Sequence, residues 1–293
     1  MSTILPFIIV GLAAGSIYGL AGIGLVLTYR ISGIFNFAYG SLATVAAFSY
    51  YALHVQAGVP WPLAALITLG GATAIVGYAM YLLGDALSEL PLAVQVAATI
   101  GILIAVEGGF TLLYGSIPLT FPQYLPVNSV SIGGVAVGVN QIIVFLLGAL
   151  ATFLLYRFLA DTAAGLRMRA VVQNPDLLAL CGAKPGQVRL RAWMIGCLCA
   201  ALAGLLLGPT VNLDATTVTL LVMQAFGAAA VGRFQSLPWT YLGGLLIGVI
   251  ASVATKYATG SNALLLGIPP SVPFIVLFAV LLFAPRRWRA RWS

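Results

Sequence analysis

Charged residues are scarce in this chain: they make up 6 % of 293 residues, and Asp and Glu together number six. Apolar residues account for 61 % of the sequence, and the mean hydropathy is +1.09. A water-soluble domain of this composition would have far too little polar surface. The shortage of charge therefore excludes a soluble globular protein and predicts an integral membrane protein.

The residue types on which most enzymes depend are also few. The chain has one histidine, and its three cysteines have neither the spacing of a metal site nor an even number for disulfides. No G-x-x-x-x-G-K-[ST] phosphate-binding loop occurs in it. We therefore expect no enzymatic activity, no catalytic residues, no metal site and no cofactor in this chain. A membrane enzyme is the weaker alternative, because acidic pairs or histidine clusters would be expected near one membrane face.

The few basic residues are clustered. Ten of the thirteen Lys and Arg fall into two patches. The first contains Arg157, Arg167, Arg169, Lys184, Arg189 and Arg191, and the second contains Arg286, Arg287, Arg289 and Arg291. Such patches between apolar runs are typical of cytoplasmic loops. The net charge of +7 is thus explained by topology and attraction to the lipid bilayer, and no nucleic-acid partner is expected.

Apolar stretches between these patches predict the membrane spans. A span needs roughly 20 residues, and Gly, Pro and charged residues delimit about eight or nine segments. They lie near residues 4–28, 37–54, 61–83, 92–114, 136–159, 189–210, 217–232, 237–256 and 270–284. We therefore predict an all-α polytopic membrane helical bundle forming a single domain over residues 1–293. Residues 29–40 and 215–236 are short or broken by glycine, which leaves re-entrant half-helices open.

The basic patches also predict the orientation of the chain. If residues 160–188 and the basic tail at 285–293 are both cytoplasmic, the number of crossings places the N-terminus and residues 115–135 outside. The C-terminus is then cytoplasmic. The expected location is the bacterial cytoplasmic (inner) membrane.

Glycines in the first apolar segment predict close helix packing. Gly11, Gly15 and Gly19 recur every fourth residue, so they share one face of a helix. Small residues at this spacing let two helix backbones approach closely in a membrane. We expect these glycines to serve bundle packing rather than to line a pore.

The first basic patch has the local signals of two short helices between Gly165 and Gly182. Asn174 is a good N-cap residue, Pro175 suits the first helical position and Asp176 favours the positive end of the helix dipole. Gly182 is placed to end the second helix. An apolar side is expected from Leu166, Met168, Val171 and Val172. Such a rigid helix pair suits docking into the groove of a soluble partner, and a loop lying on anionic lipid is the alternative.

Several motifs resemble one family of membrane transporters. The basic patch contains Gly165-Leu-Arg-Met-Arg-Ala170, Gln173-Asn174-Pro175, Ala179 and Gly182-Ala183. Elsewhere the chain has Gly15-Ser16-Ile17-Tyr18-Gly19-Leu20, Gly33-Ile34-Phe35-Asn36-Phe37-Ala38-Tyr39-Gly40, Thr99-Ile100-Gly101 and Ser236-Leu237-Pro238. In combination these motifs are similar to permease subunits of branched-chain amino acid ABC importers. The resemblance covers almost the whole chain.

This resemblance implies a type II ABC-importer-like fold and transport by alternating access. It also implies two cytoplasmic ABC ATPase subunits that bind ATP and Mg, a second identical or homologous permease subunit, and an extracytoplasmic substrate-binding protein. Coupling to the ATPases would fall to residues of the matching motif. These are Gly165, Arg167, Arg169, Ala170, Asn174, Ala179 and Gly182.

Four polar residues are candidates for the substrate path. Asn36 and Tyr39 lie in a segment broken by glycine, and Thr99 begins another motif. Irregular backbone at membrane depth persists only inside protein or beside a cavity. Glu107 lies in an otherwise apolar segment, where ionisable groups are costly and usually functional. Its carboxylate is expected either to bond a neighbouring helix or to meet the ammonium of a passing amino acid.

Two departures from the family pattern leave the substrate open. Tyr39 stands where the family commonly has histidine, and Gly232-Arg233-Phe234-Gln235 replaces a more glycine-rich stretch. Branched-chain or other hydrophobic amino acids are the expected cargo. An ABC permease for urea, an amide, a sugar or a nucleoside is the alternative, and a stand-alone secondary transporter is a weaker one.

Overall fold

The computed structural model describes residues 4–126, 128–132, 135–257 and 267–283. Six helices are long and apolar enough to cross a membrane: Leu5–Ser32, Trp61–Leu87, Leu92–Tyr114, Val139–Asp161, Pro185–Thr210 and Leu237–Tyr257. Shorter apolar helices account for the other predicted spans. The predicted polytopic bundle is therefore confirmed, while the basic tail at 285–293, with Arg286, Arg287, Arg289 and Arg291, lies outside the described residues.

The described helices are numbered in chain order. They are α1 (Leu5–Ser32), α2 (Tyr39–Tyr51), α3 (Trp61–Ile67), α4 (Thr73–Leu87), α5 (Leu92–Tyr114), α6 (Val139–Asp161), α7 (Ala163–Gln173), α8 (Pro175–Leu180), α9 (Pro185–Leu207), α10 (Ala215–Thr219), α11 (Leu221–Val231), α12 (Leu237–Tyr257) and α13 (Ile268–Phe283). π-helical turns at Ala52–Gln56 and Thr68–Ala72 extend α2 and join α3 to α4. A 3₁₀ turn at Gly208–Thr210 ends α9.

Helix α1 is the centre of the bundle. It packs against α6, α9, α11 and α12, and its residues from Gly19 to Thr28 are buried on every side. A helix that is apolar all round belongs in the interior of such a bundle. Helix α5 has the opposite role, because it contacts mainly α2 and α10 and exposes most of its surface.

Glycines set the distance between α1 and α12. A Cβ atom added to Gly15 would lie 2.6 Å from the Cα of Leu245, and one added to Gly11 would lie 2.6 Å from the Cα of Val249. The facing residues on α12 are themselves glycines, Gly244 and Gly248, which lie against the α1 backbone. The close packing predicted for the first helix is present, and backbone touches backbone along it.

The helix is broken in both segments for which re-entrant half-helices were considered, residues 29–40 and 215–236. Helix α1 ends at Gly33, which has φ +74° and donates its N–H to the Tyr29 carbonyl at 2.7 Å. Residues 33–38 are largely non-helical, and α2 starts at Tyr39. In the second segment the helix is interrupted between α10 and α11 at Leu220. The first break therefore begins at a glycine, whereas the second does not, since Gly227 lies within α11 and Gly232 only ends it.

A small hairpin was not foreseen in the expected all-α fold. Strands β1 (Ser129–Ile132) and β2 (Val135–Gly138) pair antiparallel, with Ser129 opposite Gly138. The preceding loop also exchanges two backbone hydrogen bonds between Leu119 and Leu213, at 2.9 and 2.8 Å. The uncharged segment predicted as an outer loop is thus fixed to the turn before α10.

The turn between α11 and α12 has an unusual backbone. Arg233 and Phe234 have φ angles of 57° and 52°, a left-handed conformation that glycine adopts at least cost. Their amides donate to the carbonyls of Ala230 and Ala229, each at 2.8 Å, which holds the turn in place. This geometry explains why a glycine-rich stretch suits this position in the family that the sequence resembles.

Candidate functional site

The basic patch folds as the predicted pair of short helices. The Asn174 side-chain oxygen accepts hydrogen bonds from the amides of Asp176 and Leu177, at 3.0 and 2.9 Å, so Asn174 caps α8. Thr162 caps α7 in the same way by accepting from the Gly165 amide. Gly182 follows α8 with φ +80°. We call residues 163–182 the coupling element.

The coupling element is held firmly against the bundle. Gly165 is buried at the corner between α6 and α7, where an added Cβ would lie 2.6 Å from the Phe158 carbonyl oxygen. Met168 and Val171 are buried in the core. Arg169 donates from Nη2 to the Ala160 carbonyl at 3.1 Å. Helix α7 of this element therefore packs directly against α6, α9 and α1.

The outer surface of the coupling element is apolar and basic. Leu166 is 60 % exposed, Leu177 58 % and Leu180 83 %, although large apolar side chains normally avoid water. Arg167 is exposed beside them. The expectation that Leu166 and Val172 share one apolar side with Met168 and Val171 was wrong, because the first two are exposed and the last two are buried. The helix turns only its 168/171 side towards the core.

The other residues expected in coupling are accessible. Asn174, Ala179 and Gly182 are exposed, as are Arg167 and Arg169, while Ala170 is half-buried. Only Gly165 is buried among the seven. Six of them therefore lie where a soluble partner can approach, and Gly165 sets the angle at which α7 leaves α6.

Asn36 lies in the non-helical segment between α1 and α2. It is 1 % exposed, and neither its amide nitrogen nor its amide oxygen has a hydrogen-bond partner among the described residues. The flanking aromatic rings of Phe35 and Phe37 pack against Phe226, with ring centroids 6.3 and 4.6 Å apart. A buried amide without partners costs about 1–3 kcal/mol, so its presence calls for an explanation.

Tyr39 and Thr99, two further candidates for the substrate path, form hydrogen bonds in or near this segment. The Tyr39 hydroxyl donates to the Gly196 carbonyl at 2.9 Å, and Thr99 donates to the Phe35 carbonyl at 3.3 Å. Tyr39 is 1 % exposed, and in this conformation it joins α2 to α9. The same Thr99 hydroxyl also donates to the Val96 carbonyl of its own helix at 3.0 Å, so its one proton is shared between the two carbonyls.

Glu107 lies apart from these three residues. It is eight residues beyond Thr99 on α5, a rise of about 12 Å. Its Oε1 accepts a hydrogen bond from the Thr216 hydroxyl at 2.7 Å, so the carboxylate bonds a neighbouring helix, as one of the two expectations had it. Sequence reasoning missed Thr216. Asp214 gave a usable signal, because it caps α10 by accepting from the Thr217 amide.

A second side-chain hydrogen bond, besides the one made by Glu107, joins the helices that adjoin the two broken segments. Thr44 on α2 and Thr219 at the end of α10 share a hydrogen bond of 2.8 Å between their hydroxyls. Across the described ranges no group of three His, Cys, Asp or Glu side chains lies close enough to hold a metal ion.

Comparison with known proteins identifies the family. A family model described as "Branched-chain amino acid transport system / permease component" matches residues 7–285. The chain belongs to this family. It is a multi-pass membrane protein and the permease subunit of an ABC importer, as the sequence motifs predicted.

Named relatives and a solved structure agree with the family match. The chain is 28 % identical to the high-affinity branched-chain amino acid transport system permease protein BraD of Pseudomonas aeruginosa, over 94 % of this chain and 92 % of BraD. It is 30 % identical to the probable branched-chain amino acid transport permease protein LivH of Methanocaldococcus jannaschii, over 91 % and 86 %. Its fold is similar to PsaBC from Streptococcus pneumoniae in complex with Fab, with a TM-score of 0.52 and 13 % identity over 94 % and 91 %.

Proposed function

We propose that this permease carries branched-chain or other hydrophobic amino acids across the membrane by ATP-driven alternating access. The coupling element supports the ATP-driven part of this proposal, because it exposes Leu166, Leu177 and Leu180 together with the basic Arg167. Exposed apolar surface of this kind marks an interaction site. The names of BraD and LivH support amino acids as the cargo.

The proposed complex contains the subunits that this chain lacks. Two cytoplasmic ATPases bind ATP and Mg and dock on the coupling element, and a second permease subunit completes the pathway. A binding protein delivers the solute on the opposite side. In this arrangement the N-terminus is outside and the C-terminus is cytoplasmic, which agrees with the basic patches. Alternating access then requires ATP to change the relative stability of two conformations.

Purification of the tagged chain from gently solubilised membranes tests this composition. We expect mass spectrometry to find phosphate-loop ATPases and a second permease in the same preparation, and ATP hydrolysis to drive uptake of leucine into liposomes. A homo-oligomer that transports leucine without any ATPase would contradict the proposal and favour a secondary transporter. An ATP-driven complex that ignores leucine but carries urea or a sugar would retain the mechanism and overturn the cargo.

We further propose that Asn36 contacts the solute when the broken segment opens. Its amide offers two donors and an acceptor, which suit the carboxylate and ammonium of an amino acid. Residues 33–38 lack the hydrogen-bond ladder of a helix, so a change in their backbone conformation would break few backbone hydrogen bonds. On this proposal, the protein tolerates the destabilisation caused by the unpaired amide because the amide is needed to bind the solute.

Replacing Asn36 with leucine separates this role from a structural one. The substitution removes an unpaired amide and keeps the number and branching of the side-chain heavy atoms, so we expect an unchanged or higher melting temperature. Transport should fall at least about tenfold, as lost hydrogen bonds of about 1.4 kcal/mol or more predict. The measurements are thermal unfolding of the purified complex and leucine uptake. A stable variant with normal uptake would contradict the proposal.

Glu107→Gln provides the matched comparison. The glutamine carbonyl still accepts from Thr216, so a carboxylate that serves only the α5–α10 contact is replaced without harm. If transport instead falls while the melting temperature holds, the negative charge of Glu107 takes part in recognising the ammonium. Unchanged transport removes that role.

A further inference from the structure

A cavity lies at the end of the bundle that carries the coupling element. It has a volume of about 290 Å³, is open on one side, and is lined by α1, α6, α7 and the turn before α12. This volume is at the lower end of the range of about 300–1,000 Å³ found for small-ligand pockets. The mechanism proposed above assigns no role to it.

Two guanidinium groups line the polar part of the cavity. Arg30 donates from Nη1 to the Gln235 carbonyl at 3.1 Å, and Arg169 donates to the Ala160 carbonyl at 3.1 Å. These bonds fix the two side chains and leave most of their five N–H donors for another acceptor. Two like charges facing one cavity repel each other, and an anion bound between them would offset this repulsion.

No carboxylate of the described chain supplies that anion. All six acidic residues lie within the described ranges. The ion pair found there joins Asp161 to Arg157 at 2.7 Å, and neither Arg30 nor Arg169 pairs with an acid in the part of the chain that the structure describes. The cavity is therefore complementary to an anionic group that comes from outside this chain.

The remaining walls of the cavity are apolar, and most of them are buried in the bundle. Leu27, Ile31 and Leu159 lie on the spanning helices α1 and α6. Tyr156, which also lines the cavity, is 45 % exposed, and Trp239 at the start of α12 is 61 % exposed. Exposed Tyr and Trp rings are typical of the lipid headgroup level. A ligand with an anionic head and an apolar tail fits this combination of surfaces.

We propose that the cavity binds one anionic phospholipid, with its phosphate held by Arg30 and Arg169 and an acyl chain that passes Tyr156 onto the exposed apolar side of α6. Guanidinium groups bind phosphate oxygens through paired, charge-assisted hydrogen bonds. Basic pockets between spanning helices are suited to such headgroups. The bound lipid would join α7 of the coupling element to the turn that precedes α12. This inference holds whichever solute the importer carries.

Native mass spectrometry of the purified transporter complex tests the proposal. The probes are phosphatidylglycerol and phosphatidylcholine with identical acyl chains, added at increasing concentration. We expect one phosphatidylglycerol per copy of this chain, and no matching occupancy by phosphatidylcholine. Arg30→Gln should weaken phosphatidylglycerol binding about tenfold, because a hydrogen bond to a charged group is lost. Arg30→Lys keeps the charge and should recover part of the affinity.

Arg157→Gln is the matched control. Arg157 lies near the same end of α6 but is 62 % exposed and already paired with Asp161, so its removal should leave lipid binding unchanged. If Arg30→Gln does not assemble, Arg169→Gln on α7 provides the same test. Equal binding of both lipids, equal loss in the control, or binding of inorganic phosphate as tightly as the lipid would overturn the proposal.

Discussion

Replacing Gly15 with leucine is expected to prevent the bundle from assembling. Even the first atom of the new side chain would lie 2.6 Å from the Leu245 Cα and 2.7 Å from the Gly244 carbonyl oxygen. Both are backbone atoms of α12, so no rotamer change relieves the clash. Overpacking a core typically costs about 1–3 kcal/mol and sometimes more, and the whole stability of a domain is about 5–15 kcal/mol. We expect the yield of monodisperse protein to fall at least about tenfold.

Fluorescence-detected gel filtration of detergent extracts measures this yield. Gly101→Leu is the matched control, because Gly101 lies on exposed α5 and an added Cβ there has no neighbour within 4 Å. This control should be extracted as well as the natural chain. Equal yields for the two variants would show that the α1–α12 contact does not determine folding.

The glycine contact also shows how far local sequence reasoning reaches. The spacing of Gly11, Gly15 and Gly19 predicted a small-residue face, because residues four apart share one side of a helix. The partner face at Gly244 and Gly248 lies more than 220 positions away. Its short glycine pattern occurs easily by chance, so only the folded bundle identifies it as the partner.

The coupling element was predictable because its signals are local. Asn174, Pro175 and Gly182 act within a few residues of their own positions, and capping depends on little else. The direction of each side chain was less predictable. Met168 is buried and Leu166 is exposed because α7 packs against α6, α9 and α1, and a periodic pattern alone does not reveal these neighbours.

For the candidate substrate path, the sequence reveals the polar residues but not their surroundings in the folded chain. The isolated carboxylate of Glu107 in an apolar segment was visible in the sequence, but its partner Thr216 lies 109 residues away in a broken helix. The unpaired state of Asn36 is also a property of the packed segment rather than of its composition. The positions of these polar residues could therefore be predicted from the sequence, but whether each has a hydrogen-bond partner depends on the tertiary structure.

Changing the outer face of the coupling element is expected to uncouple the importer. The variant combines Arg167→Glu with Leu180→Asp, and both side chains are exposed in the isolated permease. It leaves Gly165, Met168 and the Asn174 cap intact, so the permease itself should fold normally. Truncating or reversing a central interface residue commonly costs about 2 kcal/mol or more. We expect ATPase binding to weaken at least about thirtyfold.

Two readouts distinguish uncoupling from damage to the permease. Co-purification of the ATPase and permease-stimulated ATP hydrolysis should both fall, while gel-filtration yield and melting temperature stay unchanged. Arg191→Glu reverses another exposed charge outside the coupling element, on α9, and should affect neither readout. Arg169 is left unchanged because it bonds Ala160 and lines the cavity proposed to hold lipid. Normal stimulation of hydrolysis by the double variant would show that the ATPases dock elsewhere, because the surface changed is the most exposed apolar part of this element.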